Sequence, residues 1–235
     1  MRISGIQKFT QLDFPGRIAC ILFTAGCNFR CGYCHNPEFV LPEKIEKIKD
    51  TFISKEAVFN FLQKREELLD GIVISGGEPT MMEDLLEFIE EIKDKFDYEV
   101  KLDSNGNKPK VLKEAIDRNL VDYIAVDIKT DFDNYFELAG GSVDPDKIKE
   151  SIELLMNSNI EYEFRSTIIK GVHTEENFKN MAEMIEGADI MYLQKYNSGH
   201  TLDPSFARYE SFSDREHEEI AKIFEQTVQE VKIRN

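Results

Sequence analysis

The sequence predicts an α/β fold in which parallel strands alternate with helices. Short runs rich in Val, Ile, Phe and Tyr recur along the chain, longer amphipathic segments separate them, and the alternation occurs six times. Such a sheet can close into a barrel or stay open. A complete eight-unit barrel typically needs about 250 residues, whereas the chain has 235. The prediction is therefore a partial (β/α)6 barrel with a short N-terminal extension, built as a single domain over residues 1–235.

The predicted strands follow from residue type, because β-branched and aromatic residues are favoured in buried strands. In chain order they cover residues 17–24, 71–75, 98–103, 123–128, 162–169 and 190–195.

The predicted helices follow from apolar residues that recur on one face. The first covers 55–70, and the second covers 81–96 after the capping box Thr80-Met81-Met82-Glu83. Three more cover about 110–118, 145–157 and 175–186. The C-terminal helix covers about 213–233 and begins with a second capping box, Ser213-Asp214-Arg215-Glu216.

The composition excludes several classes of protein. No run approaches 18 apolar residues and the N-terminus leads into mixed polar sequence, so neither a membrane span nor a secretion signal is expected. A net charge of −16 repels phosphate backbones, so nucleic acid is not an expected partner. Three of the four cysteines lie within eight residues, which favours metal binding in a reducing cytoplasm over a disulfide framework.

The strongest chemical signal is the triplet Cys27, Cys31 and Cys34, with the spacing Cys-x3-Cys-x2-Cys. Iron–sulfur cubes are normally held by four cysteines, so three would leave one iron open to a ligand that is not protein. An open position is typical of catalytic metal sites. The alternative is a structural zinc site completed by His35, although zinc ligands usually come in pairs from separated segments. Cys20 lies inside a predicted strand and is expected in the core.

Other chemically suggestive residues follow the predicted strands. The loops after the strands of a parallel α/β barrel share one rim, where active sites form. We therefore expect one pocket to be surrounded by the cysteine loop 27–34, Gly76-Gly77-Glu78-Pro79, Asp103-Ser104-Asn105-Gly106, Asp127-Ile128-Lys129, Arg165 and Tyr196-Asn197-Ser198-Gly199.

Each of these segments also has a plain structural interpretation. The glycine pair could form a tight turn, or could let a ligand approach the backbone. Asp127 and Lys129 share one side of a strand and could be an exposed ion pair. Residues 103–106 could be a turn closed by glycine. Arg165 lies in an apolar-aromatic strand and needs a carboxylate, from either the protein or a ligand. Two histidines are expected at the surface, His173 and His200.

Taken together, the motifs resemble the radical S-adenosylmethionine superfamily. Cys27-Asn28-Phe29-Arg30-Cys31-Gly32-Tyr33-Cys34 matches its Cys-x3-Cys-x-aromatic-Cys signature, and Gly76-Gly77-Glu78-Pro79 matches its Gly-Gly-Glu-Pro motif. Within the superfamily, Leu12-Asp13-Phe14-Pro15-Gly16-Arg17 and Cys34-His35-Asn36-Pro37-Glu38 resemble the glycyl-radical-enzyme activases. The likeness is nearest to the activating protein of the anaerobic ribonucleoside-triphosphate reductase.

The resemblance implies the cofactors and the residues that hold them. A [4Fe–4S] cluster would be bound by Cys27, Cys31 and Cys34, with S-adenosylmethionine at its open iron. The cofactor-facing residues would be Tyr33 near the adenine, Gly76, Gly77 and Glu78 at the methionine amino group, Asp127 and Lys129 near the ribose and carboxylate, and Arg165. Ser104 and Asn105 replace a Thr-Asn pair, and a monovalent cation is expected near Asp103 and Asp127. Asn197 stands where pyruvate formate-lyase activases have histidine.

The implied reaction is reductive cleavage of S-adenosylmethionine and removal of a hydrogen from a glycine Cα of a partner enzyme. The favoured partner is the large subunit of an anaerobic ribonucleotide reductase, with a one-electron donor such as flavodoxin or ferredoxin. Alternatives are an activase of another glycyl-radical enzyme of the pyruvate formate-lyase type, and a radical enzyme acting on a small molecule. A non-catalytic zinc module is the third.

Overall fold

The computed structural model describes residues 1–234, and these divide into two compact units. Unit 1 comprises Met1–Asn28, Asn36–Ser104 and Lys110–Ile124. Unit 2 comprises Phe29–His35, Asn105–Pro109 and the chain from Ala125 onwards. The prediction of a single domain stays a prediction, and each unit is described by itself. No helix within residues 1–234 is long and apolar enough to cross a membrane.

The strands are β1 (Ile3–Thr10), β2 (Ala19–Thr24), β3 (Gly71–Gly76), β4 (Glu99–Ser104), β5 (Tyr123–Asp127), β6 (Glu161–Ile168), β7 (Ile190–Lys195) and β8 (Glu230–Arg234). The α-helices are α1 (Pro42–Ile48), α2 (Lys55–Gln63), α3 (Leu85–Lys95), α4 (Pro109–Asp117), α5 (Tyr135–Ala139), α6 (Pro145–Met156), α7 (Glu175–Met184) and α8 (Asp214–Phe224). In the part of the chain that the structure describes, 3-10 helices cover Pro37–Phe39, Lys49–Thr51, Pro79–Met81 and Pro204–Arg208.

In unit 1, a parallel sheet is formed by β2, β3 and β4, and β1 pairs antiparallel with β2. Phe14, from the segment between β1 and β2, is fully buried against side chains of several strands. Its cluster contains Ala19, Ile21, Val73 and Tyr123. Burial of such apolar area supplies most of the stabilisation of a core.

In unit 2, β6, β7 and β8 run parallel, and α7 and α8 pack through Phe178, whose ring lies 6.5 Å from that of Phe224. The predicted α/β class with parallel strands is confirmed. The six predicted strands correspond to β2 through β7, and the N-terminal extension is the strand β1.

Three predicted helices differ from those observed. The first, predicted over residues 55–70, ends at Gln63, because Arg65 N donates to the Leu62 carbonyl three residues back and the chain continues in turns. The C-terminal helix ends at Phe224 rather than near residue 233, because Gln229 N and Glu230 N donate to the carbonyls of Ala188 and Asp189 and draw the chain into β8. Its Ser213–Glu216 capping box is present.

The helix predicted from residue 81 begins at Leu85 instead, and its predicted capping box is wrong. Residues Pro79–Met81 form a 3-10 turn, and the Thr80 hydroxyl donates to Glu78, so it does not cap α3.

Candidate active site

The cysteine loop leaves β2 in unit 1 and is fixed there by main-chain hydrogen bonds. Gly26, just before Cys27, donates its N–H to the Phe39 carbonyl at 2.7 Å. Its own carbonyl accepts from Glu78 N, also at 2.7 Å. The end of β2 is thereby joined to the Gly-Gly-Glu-Pro turn.

This contact explains the two glycines of that turn. A Cβ on Gly77 would lie 2.2 Å from the Gly26 carbonyl oxygen, and one on Gly76 would lie 2.4 Å from Thr24 N. Gly76 also has a φ of +113°, a region that side chains disfavour. Close approach of the protein's own backbone therefore requires both glycines. Their predicted contact with a ligand stays a prediction.

Glu78 is buried, with only 1% of its surface exposed. Its Oε1 accepts hydrogen bonds from Thr80 N at 3.2 Å, Thr80 Oγ1 at 2.5 Å and Ser104 Oγ at 2.9 Å. Ser104 and Glu78, which lie at the ends of different strands and were both predicted to belong to the site, are therefore in contact. A carboxylate oriented in this way can accept a hydrogen bond from an ammonium group.

In unit 2, the remainder of the cysteine loop is tied to the segment after β7. Asp203 N donates to the Gly32 carbonyl at 2.9 Å, and Leu202 N donates to the Cys34 carbonyl at 2.8 Å. A Cβ on Gly32 would lie 2.3 Å from the ring of Phe206, so any side chain there would require that ring to shift. The loop conformation is therefore set by protein contacts.

None of the four cysteines forms a disulfide within the part of the chain that the structure describes. Cys20 is fully buried in β2, where burial raises its thiol pKa to about 12. Burial also raises the pKa of Cys31 to about 11, against the opposing effect of Lys129. Iron displaces the proton of a coordinating thiol, so the triplet suits a cluster. Within residues 1–234, no three Cys, His, Asp or Glu side chains are grouped around a single-ion position. A cubane does not need that grouping, because each cysteine binds a different iron.

Tyr33 supplies an independent sign that a ligand belongs here. Its side chain is buried, its ring lies 6.1 Å from that of Phe206, and its hydroxyl has no hydrogen-bond partner within residues 1–234. Burial raises its pKa well above the usual value, although Lys129 acts against this. A buried hydroxyl normally finds a partner, so this one fits a bound group.

Asp127, Lys129 and Arg165 form a buried ion-pair cluster, not an exposed pair. Asp127 Oδ1 lies 2.9 Å from Arg165 Nε, and Oδ2 lies 3.0 Å from Lys129 Nζ. Burial alone would raise the pKa of Asp127, but the two cations outweigh it and hold that pKa well below its usual range. Asp127 likewise raises the pKa of Lys129 despite burial. The carboxylate that Arg165 requires is therefore supplied by the protein.

Two neighbours that sequence reasoning missed hold this cluster in place. Tyr135 donates its hydroxyl to the Asp127 carbonyl at 3.1 Å and accepts from Lys129 N at 3.2 Å. His173, expected at the surface, is buried: its Nδ1 accepts from Ile169 N at 3.0 Å, and its Nε2 lies 2.9 Å from the Lys129 carbonyl. These contacts assign the neutral tautomer with the proton on Nε2. Neither residue belongs to a recognisable motif.

The other predicted site residues are placed differently. Asn105 is buried, and its Oδ1 accepts a hydrogen bond from Asn107 N at 3.0 Å. This local contact agrees with the interpretation of residues 103–106 as a turn. Asn197 is exposed after β7. A monovalent cation was expected near Asp103 and Asp127. Instead, Asp103 Oδ1 lies 3.5 Å from Nζ of the buried Lys101, and Asp127 Oδ1 lies 2.9 Å from Arg165 Nε. Both carboxylates already have protein cations.

Unit 2 also contains a cavity of about 420 Å³ beside the cysteine loop. Its walls come from the segments that follow β5, β6 and β7, among them Thr130, Gly171, Phe206 and Tyr209. Because Phe206 also packs on Gly32 and Tyr33, the cavity and the loop share a wall.

The radical SAM superfamily profile matches residues 21–186. A Methanocaldococcus jannaschii protein, assigned as a glycyl-radical enzyme activating enzyme, is 32% identical over 99% of this chain and 95% of its own. A Clostridium pasteurianum pyruvate formate-lyase-activating enzyme is 26% identical over 86% and 83%. Streptococcus suis SuiB bound to S-adenosylmethionine is similar in fold, with a TM-score of 0.63, 16% identity, and coverage of 91% of this chain and 51% of SuiB.

These matches agree with the cysteine spacing, the absence of disulfides among the described residues and the unpartnered Tyr33 hydroxyl. The cofactors that define the family are a [4Fe–4S] cluster and S-adenosylmethionine. The chain belongs to the radical S-adenosylmethionine superfamily.

Proposed function

We propose that this chain installs a glycyl radical on an anaerobic ribonucleoside-triphosphate reductase. The observation that carries the proposal is the cysteine loop, whose three cysteines have the spacing of the superfamily signature. The Methanocaldococcus jannaschii relative supports the activase class, because it matches this chain almost from end to end. Residues 12–17 and 34–38 resemble the glycyl-radical-enzyme activases and support the same class. The reductase is favoured over other partners because, within that group, the sequence resembles its activating protein most.

In this proposal the protein's residues bind and orient. Cys27, Cys31 and Cys34 hold the cluster as thiolates, with the proton of the buried Cys31 thiol displaced on binding. When bound, the cluster and S-adenosylmethionine supply the one-electron chemistry that removes a hydrogen atom from the partner's glycine Cα. Glu78 accepts from the ammonium group of the methionine moiety. Lys129 and Arg165 attract its carboxylate, and the Tyr33 hydroxyl faces the adenosine.

The partner's glycine must reach these residues on a polypeptide segment. The cavity of about 420 Å³ in unit 2 supports this, since it borders the cysteine loop through Phe206. Its walls carry main-chain and side-chain polar groups, including Thr130 and Gly171, that can bind a peptide backbone. We also propose that flavodoxin or ferredoxin donates the electron in the cytoplasm, where a reducing medium keeps cysteines as thiols.

A direct test is anaerobic reconstitution followed by electron paramagnetic resonance on purified partners. We expect about four irons and four sulfides per chain, release of 5′-deoxyadenosine, and a glycyl radical on the reductase. Cys31→Ala should abolish all three, whereas Cys20→Ala, the matched control, should retain them because Cys20 is a core residue. Equal loss at Cys20 would contradict the assigned ligand set.

A second candidate is favoured by one comparison. The Clostridium pasteurianum relative is a pyruvate formate-lyase-activating enzyme and matches 86% of this chain. Against it, Asn197 replaces the histidine of those activases and is exposed. The same experiment separates the candidates: a radical on pyruvate formate-lyase alone would overturn the reductase assignment. Release of 5′-deoxyadenosine with no radical on either protein would point to a small-molecule substrate.

A further inference from the structure

Five charged side chains of unit 2 form a continuous chain of ion pairs. In order they are Lys129, Asp127, Arg165, Glu163 and Arg234. The successive nitrogen–oxygen distances are 3.0, 2.9, 3.8 and 3.5 Å. Each carboxylate therefore stands between two cations, and a cation stands at either end. The first three residues belong to the candidate site, whereas the last two lie outside every motif.

Strand geometry explains how the chain of ion pairs is built. Glu163 and Arg165 are two residues apart on β6, so both side chains project from the same face of the sheet. Arg234 lies on β8, and its guanidinium carbon sits 3.8 Å from the ring centre of Tyr192 on the intervening strand β7. This cation–π contact directs Arg234 across β7 to Glu163.

The burial of Glu163 makes these contacts necessary. Its side chain is 0% exposed, and an unpaired carboxylate in that position would be strongly unfavourable. Arg234 supplies one compensating charge. Without it, Glu163 would draw the Arg165 guanidinium towards itself and away from Asp127, because Arg165 lies between the two carboxylates.

We propose that Glu163 and Arg234 are positioning residues that hold Arg165 in place for the carboxylate of S-adenosylmethionine. The proposal rests on the proposed function, since it needs that ligand to bind in unit 2. Neither residue touches the reacting atoms. Their effect reaches the ligand through the orientation of Arg165 and through the positive charge that Arg165 presents.

The test measures binding, not turnover. Equilibrium dialysis on the anaerobically reconstituted protein would compare two ligands: S-adenosylmethionine, and 5′-methylthioadenosine, which has the nucleoside but no carboxylate. Arg234→Gln should weaken S-adenosylmethionine binding about tenfold, as expected when a charge-assisted contact is misplaced. Binding of 5′-methylthioadenosine should change by less than about twofold, because it lacks the carboxylate.

Lys232→Gln is the matched control. Lys232 lies on the same strand and also stands over the Tyr192 ring, but it pairs with Glu230 at 2.9 Å. This variant should bind both ligands like the wild type. In a Glu163→Gln background, Arg234→Gln should add no further loss, because the link is already broken. The melting temperature of each variant checks that it is folded.

Two results would overturn the proposal: unchanged S-adenosylmethionine affinity in Arg234→Gln, or an equal loss for both ligands, which would indicate a general structural role. Failure of the wild type to bind either ligand would instead overturn the proposed function, and this assignment with it.

Discussion

Glu78 illustrates how one buried carboxylate can be both structural and functional. One of its oxygens, Oε1, receives two hydrogen bonds from Thr80 and one from Ser104. A neutral amide could keep an acceptor at that position while removing the charge. Structure and ligand binding can therefore be separated by a single conservative substitution.

We expect Glu78→Gln to weaken S-adenosylmethionine binding about 10- to 100-fold, the value of a hydrogen bond to a charged group of about 1.5–3 kcal/mol. Iron content should be unchanged, since Glu78 is not a cluster ligand. Calorimetric titration of the reconstituted protein would measure the affinity. Glu83→Gln, at an exposed position of the same segment, is the control and should bind normally. Equal affinities in the two variants would return the motif to a purely structural role.

Residue-level prediction from the sequence succeeded where chemistry is encoded locally. The cysteine spacing and the Gly-Gly-Glu-Pro motif are contiguous, so they are readable without a fold. The partners of Arg165 are not readable in this way, because Asp127 is 38 residues away and only the packing of β5 and β6 sets their distance. Buried Lys101 was missed for the same reason: its partners Asp13 and Asp103 come from different segments.

At the level of elements, the turn after β3 is shaped by its contact with the cysteine loop. Gly77 sits against the Gly26 carbonyl with no room for a Cβ. The two segments are joined by the hydrogen bond from Glu78 N to Gly26 O. Any side chain at position 77 must push them apart.

We predict that Gly77→Ala destabilises the protein by about 1–3 kcal/mol, the usual cost of overpacking. The measurement is urea unfolding of the protein without cofactors. Gly5→Ala is the control, because a Cβ there would meet only Phe23 at an ordinary 3.8 Å. Unfolding midpoints that coincide would show that the turn can relax, contrary to the observed packing.

Element prediction failed where two patterns overlap. Residues 230–234 alternate charged and apolar side chains, which suits a strand. Only residues 225–229 separate them from the amphipathic helix α8, and the helical period accommodated them as well. The predicted capping box at Thr80 was wrong for a different reason. The capping-box spacing is present, but the Thr80 hydroxyl donates to Glu78 instead of capping α3. Side chains that bond local groups compete with caps.

At the scale of the whole molecule, stability depends on the protonation state of buried titratable groups. Two of these groups, His173 and Asp127, have a pKa in the folded protein that differs from the usual value. His173 is neutral, since burial lowers its pKa despite two hydrogen bonds. Asp127 is ionised, since its two cations overcome burial. Both shifts make stability depend on pH in the same direction.

Global stability is therefore expected to fall with acidification in two windows. Below about pH 6.5, the unfolded chain protonates His173 while the folded chain resists, so the unfolding free energy decreases. Below about pH 4, Asp127 is protonated in the unfolded chain but stays ionised in the folded chain. The free energy of unfolding therefore decreases again in this second window. Thermal unfolding between pH 8 and 5 would measure the first window.

His173→Gln should flatten that first decline, because glutamine keeps a donor and an acceptor but does not titrate. His200→Gln, at an exposed position, should leave the decline intact. A pH profile of His173→Gln identical to that of the wild type would assign the decline to other groups.

The place of β8 in the chain has a consequence for biosynthesis. Arg234 is translated after every residue to which it is linked, and it docks only when β8 has left the ribosome and aligned beside β7. If Arg165 depends on that docking, a nascent chain without β8 would already have its cysteine loop and would still bind S-adenosylmethionine weakly. Cofactor loading would then favour chains in which β8 has formed over chains in which it has not.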